Sequence, residues 1–252
     1  MIDVARMETV ADVFTAPPGP WAVVCDFDGT AILGDIADAL ALRYLGEDRF
    51  RAVNSQYERG EITFRELLHE LFEPIAASHD EIRTFTHAYA EFRPGFVRLM
   101  EVARELQVPF TLASGGLDIY IRPALELLPP DLVADVTLRA NSAEPRPGGL
   151  TIGFPYSDTP GSCGSCGSCK GAIIRQLQQD GYRVIAIGDG NADRCMAHVA
   201  DVLFARERLS AWCDRSHVSY IPFETLDIVA DFLEAQFPRR GDTIDDAQPS
   251  IA

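Results

Sequence analysis

Two rhythms of apolar residues divide this chain. Short unbroken runs, beginning with WAVVC at Trp21–Cys25, have the character of strands covered on both faces, and VPFTLAS, residues 134–139, LTIGF, residues 183–187 and residues 202–205 repeat it. Between residues 35 and 92 the spacing changes to three and four, so ADALALRYL, ITFRELLHELF and DEIRTFTHAYAEF predict helices with no strand among them. Pro94 and Gly95 open a further helix, FVRLMEVARELQ, and Gly115 with Gly116 are expected to turn the second strand into the helix DIYIRPALELL. A turn at 145–149 predicts a hairpin, and helices are expected over 170–180 and 191–199. Such alternation predicts an α/β fold, a doubly wound parallel sheet that binds ligands at the carboxyl ends of its strands. The helical stretch then becomes an insertion just past the first strand. The expected division is an extension over 1–20, a core over 21–34 and 93–237, helices over 35–92 and a disordered tail, PRRGDTIDDAQPSIA, over 238–252.

Composition narrows the functional classes. Of 252 residues, 47% are hydrophobic and 24% charged, as in ordinary globular enzymes, and the formal net charge is −16 at pH 7. An acidic surface repels nucleic acid and anionic lipid, so no such partner is expected, and a phosphate-bearing ligand needs local positive charge or a cation. No apolar run reaches the roughly eighteen residues of a membrane span, and MIDVARMETVADVFTAPPGP lacks the core of a secretory signal. A cytoplasmic monomer or homodimer with reduced thiols is the expectation. Six cysteines are present, three of them crowded into CGSCGSCK as Cys163, Cys166 and Cys169. A closed zinc site would need Cys195 or Cys213 as a fourth ligand, and a Gly/Ser-rich loop with neutral thiols is the preferred interpretation.

The chemistry gathers at predicted strand ends. Asp26 and Asp28 follow the first strand at a spacing that puts both side chains on one side, where they repel unless they share a cation or divide the labour of attack and proton transfer. Gly29 suits a turn and Thr30 can offer a donor to an anion. Ser114 ends the second strand, its hydroxyl and the following glycine N–H groups forming an anion cradle. A third strand ends in GDGNAD, with Asp189, Asn191 and Asp193; helix capping is the plainer role for these acids and for the serine, whereas carboxylates clustered at a sheet's mouth call for Mg²⁺. Lys170, opening a helix, would supply the fixed positive charge such a site needs for a phosphate dianion.

In this order DFDGT, Ser114, Lys170 and GDGNAD resemble the four motifs of the haloacid dehalogenase superfamily of phosphohydrolases, over residues 21–225, and the helical insertion resembles that family's C1 cap on a Rossmann-like core. SGGLDIYI and GDGNADRCM are similar to the phosphoserine phosphatase group; SGGLDIYIRP with CGSCK is more similar to the branch of methionine-salvage enol-phosphate and phosphoethanolamine/phosphocholine phosphatases. The resemblance implies a Mg²⁺-dependent phosphomonoesterase. In it Asp26 is the nucleophile forming an aspartyl phosphate, Asp28 the general acid and then base, and Lys170 catalytic and phosphate-binding. Substrate contacts fall to Thr30, Asp35, Ser114, Gly115 and Asn191. The metal falls to Asp26, Asp28 through its carbonyl, and Asp189 with Asp193 in support. Asp35 stands where phosphoserine phosphatases carry a glutamate that reads the substrate's amino group, which permits a cationic or hydroxylated substrate; His69 stands where they carry the arginine that grips the substrate carboxylate, and loss of that fork argues against phosphoserine. A small phosphomonoester is expected, the methionine-salvage enol phosphate first, then phosphoethanolamine-like or specialised-metabolite phosphates, then phosphoserine. Tyr57, Phe64, Asp35 and His69 lie in segments placed to close over the leaving group. A phosphomutase, or a noncatalytic module that binds Mg²⁺ and phosphate, would share part of this pattern.

Overall fold

The computed structural model describes residues 20–162, 164 and 167–237. The expectations for the N-terminal extension before residue 20, for the tail over 238–252 and for Cys163 and Cys166 lie outside the described residues.

Strand β1 (Trp21–Cys25) is wholly buried and lies at the centre of a seven-stranded sheet. On one side follow β2 (Phe110–Leu117), β3 (Val136–Arg146) and β4 (Gly149–Gly153); on the other β5 (Arg183–Gly188), β6 (Val202–Ala205) and β7 (Ile221–Pro222). All pairs are parallel except the β3–β4 hairpin. Because the chain winds outward from β1 in both directions, the order reverses beside it, and the crevice there opens at the carboxyl ends of β1, β2 and β5. The doubly wound α/β sheet read from the apolar runs is the observed fold.

The two-residue period of β1 assigns its side chains to two cores. Trp21, Val23 and Cys25 join Ile185 and Ile187 in one layer, which includes the inserted helices; Val24 joins Val184 and Ala186 in the other. The first layer is covered by α5 (Phe96–Glu105), α6 (Asp118–Leu125), the short α7 (Pro130–Val133) and α11 (Asp227–Ala235); the second by α8 (Lys170–Gln179), α9 (Arg194–Ala197) and α10 (Glu207–Ser216).

Four helices, not three, occupy the insertion: α1 (Ile36–Leu45), α2 (Glu47–Glu58), α3 (Phe64–Phe72) and α4 (His79–Tyr89). The unpredicted α2, EDRFRAVNSQYE, buries Val53 alone and so lacks an apolar stripe; its acidic first turn at Glu47 and Asp48 suits a helix N-terminus. The starts of α3 and α4 are fixed by capping boxes, Thr63 with Glu66 and Ser78 with Glu81. The chain leaves and re-enters the core side by side, with Leu33 N–H donating to Glu91 and Arg93 N–H to Ala31, each at 2.8 Å. α3 reaches the hairpin, where Leu150 N–H donates to Glu73 at 3.0 Å, and α4 packs on α6. Among the described residues, no helix is long and apolar enough to cross a membrane.

Candidate active site

Past β1 the chain makes one wide turn, Phe27–Ala31, closed by Ile32 N–H donating to Phe27 O at 3.0 Å. Asp26 sits at its head and accepts from Phe27 N–H at 2.7 Å. Gly29 has φ +73°, and a Cβ there would collide with the Asp189 carboxylate, so only glycine lets the turn close against the end of β5. Arg93, a residue 5% exposed, holds the turn from beneath: its guanidinium donates to Gly29 O at 2.5 Å and Thr30 O at 2.7 Å. The buried Thr30 carbonyl and the half-buried Gly29 carbonyl, both outside the sheet, are thereby satisfied.

Asp28 does not share Asp26's partners. One of its oxygens accepts from Ile36 N–H, the first residue of α1, at 2.9 Å, and the other from the Tyr120 hydroxyl at 2.8 Å. Burial raises the Asp28 carboxyl well above the ordinary range, with Asp35 adding to the effect.

The expected turn at Gly115 and Gly116 is absent. β2 runs on to Leu117, its pairing with β3 slips between Ala113 and Leu117, and α6 begins only at Asp118. Ser114 therefore lies in an irregular strand end, not at a helix N-terminus, and its hydroxyl oxygen accepts from Gly116 N–H at 2.9 Å. Gly116 is needed because a Cβ there would occupy the position of the Tyr120 hydroxyl; the Phe64 ring closes over Gly115.

Lys170, 2% exposed at the start of α8, reaches Asp26 Oδ1 at 2.6 Å and also pairs with Asp193. Burial alone would lower its pKa, but Asp193 and Asp26 together outweigh this and hold the ammonium above the usual lysine value. Asp193 is fully buried; its second oxygen accepts from Asp189 N–H at 3.0 Å and Gly190 N–H at 2.9 Å. This tight turn is 3₁₀ over Asn191–Asp193 and yields only the brief α9, in place of a helix over 191–199. Asp189 accepts from the Thr30 hydroxyl at 2.9 Å. Thr30 is thus buried beneath the site and does not face the cavity.

Carboxylate oxygens of Asp26, Asp189 and Asp193 lie within 4.8 Å of one another. Burial and Asp193 raise the Asp26 carboxyl despite Lys170, and burial and Asp193 raise Asp189 to about 6. One ammonium among three carboxylates leaves surplus negative charge, which fits a divalent cation. Asp193 has both oxygens committed to protein donors, so Asp26 and Asp189 are the groups with capacity to hold it.

A cavity of about 610 Å³ opens above these groups. Of the residues singled out from the sequence, Asp26, Asp28, Asp35, Ser114, Gly115, Lys170, Asp189 and Asn191 line it; Thr30 and Asp193 do not. Its far wall is apolar, built by Tyr57, Phe64, Leu67, Leu68, Leu71 and Phe72 of the inserted helices. His69 is not in that wall; it pairs with Glu73 at 2.9 Å and packs edge-on against Phe154. Asp35 also heads α1, accepting from Asp38 N–H at 2.8 Å, and burial with Asp38 raises it to about 7. Cys195 contacts Cys169, and that neighbour together with burial pushes its thiol up. Arg93 and Tyr120 were not apparent from the sequence. The only clue to the latter was a phenol within an apolar helix, whose hydroxyl needs a partner once buried.

The family profile of haloacid dehalogenase-like hydrolases matches residues 23–198. A 2-hydroxy-3-keto-5-methylthiopentenyl-1-phosphate phosphatase of Exiguobacterium sibiricum is 29% identical over 214 residues, covering 84% of this chain and 95% of its own. One of the same name from Bacillus thuringiensis is 31% identical over 204 residues, covering 81% and 91%. Among solved structures, a phosphoserine phosphatase held as a phospho-aspartyl intermediate analogue superposes with TM-score 0.62 at 17% identity, over 85% of this chain and 99% of its own. A haloacid dehalogenase family hydrolase from Salmonella enterica serovar Typhi gives 0.66 at 18%, over 86% and 73%. At these identities the structural likeness establishes the fold.

Proposed function

We propose that this chain, which belongs to the haloacid dehalogenase-like hydrolase family and is a phosphatase, hydrolyses a small phosphomonoester through an aspartyl phosphate on Asp26. The observation that carries this reading is the division of labour between the two aspartates: Asp26 is paired with a buried lysine, while Asp28 is held apart by Tyr120 and the start of α1.

Asp26 Oδ1 is engaged by Phe27 N–H and Lys170, which leaves Oδ2 to attack phosphorus. The bond from phosphorus to the leaving oxygen breaks as Asp28 delivers its proton there; Asp28 then takes a proton from water, whose oxygen attacks the aspartyl phosphate, releasing phosphate and restoring Asp26. Lys170 holds a phosphoryl oxygen and Asp26 together, and the Ser114 segment lines the same space. Mg²⁺ held by Asp26 and Asp189 would lend Lewis-acid charge to the phosphoryl group and offset repulsion between anions. Residues 21–34 and 93–237 act as the core and 35–92 as the cap over the leaving group.

The cap side of the cavity supplies no cation, and its leucines and aromatics suit an uncharged, partly apolar leaving group. This favours 2-hydroxy-3-keto-5-methylthiopentenyl 1-phosphate, the compound named for the relatives, over phosphoserine, whose carboxylate would find no cation on the cap side and would have to reach Arg206 or Arg208, core residues that also line the cavity. Asp26→Asn should abolish Mg²⁺-dependent phosphate release and Asp28→Asn reduce it strongly; a fully active Asp26→Asn protein would end the proposal. A kcat/KM panel tests the substrate, and a tenfold preference for phosphoserine, about 1.4 kcal/mol, would overturn the ranking.

A further inference from the structure

We propose that Tyr120 is a positioning residue that aims the Asp28 carboxyl at the leaving-group oxygen. Its side chain is fully buried on α6, a setting that phenylalanine would fill without the cost of burying a hydroxyl. That hydroxyl donates to Asp28 Oδ2 at 2.8 Å, with the Leu117 backbone as a second neighbour, and two local features serve the contact. Gly116 leaves out the Cβ that would occupy the hydroxyl's position, and the Phe27 ring, 6.4 Å away between centroids, confines the phenol on the side of the nucleophile turn. The opposite oxygen of Asp28 is held by Ile36 N–H at 2.9 Å. Two donors on different elements therefore fix the carboxyl plane. With Ile36 alone, the group is free to turn about its last side-chain bond and the proton is no longer directed along one line.

The inference rests on Asp28 being the proton carrier, and leaving-group dependence separates the two ideas. Ethyl phosphate needs its departing alkoxide protonated; p-nitrophenyl phosphate, with a stable phenolate, scarcely does. Tyr120→Phe should lower kcat/KM for ethyl phosphate by about tenfold or more, within the usual span of general-acid contributions, while p-nitrophenyl phosphate stays within about twofold. Tyr120→Met provides a second variant, and thermal melting shows which of the two is folded. Asp28→Asn run alongside should show the same split, more steeply. Equal losses on both substrates, or none, in a folded Tyr120 variant would overturn the positioning role while the Asp28 split stands. Absence of the split in Asp28→Asn would instead remove the proton-carrier reading, and the proposal with it.

Discussion

Lys170 illustrates how much depends on single side chains here. Its ammonium is buried between Asp26 and Asp193, and no exposed surface dilutes the pair. Lys170→Ala should lower turnover by roughly 10² or more through loss of a preorganised charge. It should also cost about 3–5 kcal/mol in a denaturant melt, because two buried carboxylates lose their partner. An unchanged rate would place the lysine outside the chemistry. Asp35 offers a second residue-level test. Its carboxyl, raised to about 7 in the fold against about 3.9 in an unfolded chain, holds its proton more tightly when folded. Its contribution to stability therefore falls as pH climbs from about 4 to about 7 and stays lost above that. Asn keeps the helix-capping oxygen, so metal-free Asp35→Asn should melt higher than the parent at pH 8 and alike at pH 4. Equal melting at pH 8 would refute the raised value. Thr30 shows the limit of motif reasoning: its type and place were legible, but its hydroxyl serves Asp189 and not the cavity.

Elements hold these residues through backbone groups that no periodicity announces. Arg93 follows the insertion and donates to Gly29 O and Thr30 O, so the return of the chain into the core braces the Phe27–Ala31 turn. Arg93→Ala leaves both carbonyls without that donor; at about 1–3 kcal/mol for an unsatisfied buried group, the Thr30 carbonyl alone sets an expected loss of about 1–3 kcal/mol by denaturant titration, with turnover falling too. A change under 1 kcal/mol would show the carbonyls find other partners. The glycines after Ser114 read as a turn, since glycine usually marks one, yet the strand continues and slips register so that Gly116 can admit Tyr120. Helix α2 escaped notice for the opposite reason: a helix that buries little carries no stripe.

At the scale of the whole molecule, the site forms where β1, β2 and β5 end together and the inserted helices provide the apolar wall. Asp26 and Asp189 come from strands paired side by side, so a cation bound between them would tie two strand ends in the native state only. After EDTA treatment, Mg²⁺ at about 100 times its dissociation constant should stabilise the protein by about 2.7 kcal/mol, read as a rise in melting temperature. Asp189→Asn should erase that rise; a rise that persists would place the cation elsewhere.

The sequence by itself determined the strand runs, the insertion after the first strand and the four motif segments, because burial on both faces and strand-end chemistry depend on residue type and short spacing. Tertiary structure alone decided that Asp28 belongs to Tyr120 and Ile36, that Asp193 sits beneath Lys170, and that His69 turns away from the cavity. Each of the three depends on where a side chain meets an element distant in the chain or on which face of a helix it leaves the backbone. Local periodicity carries no record of such meetings.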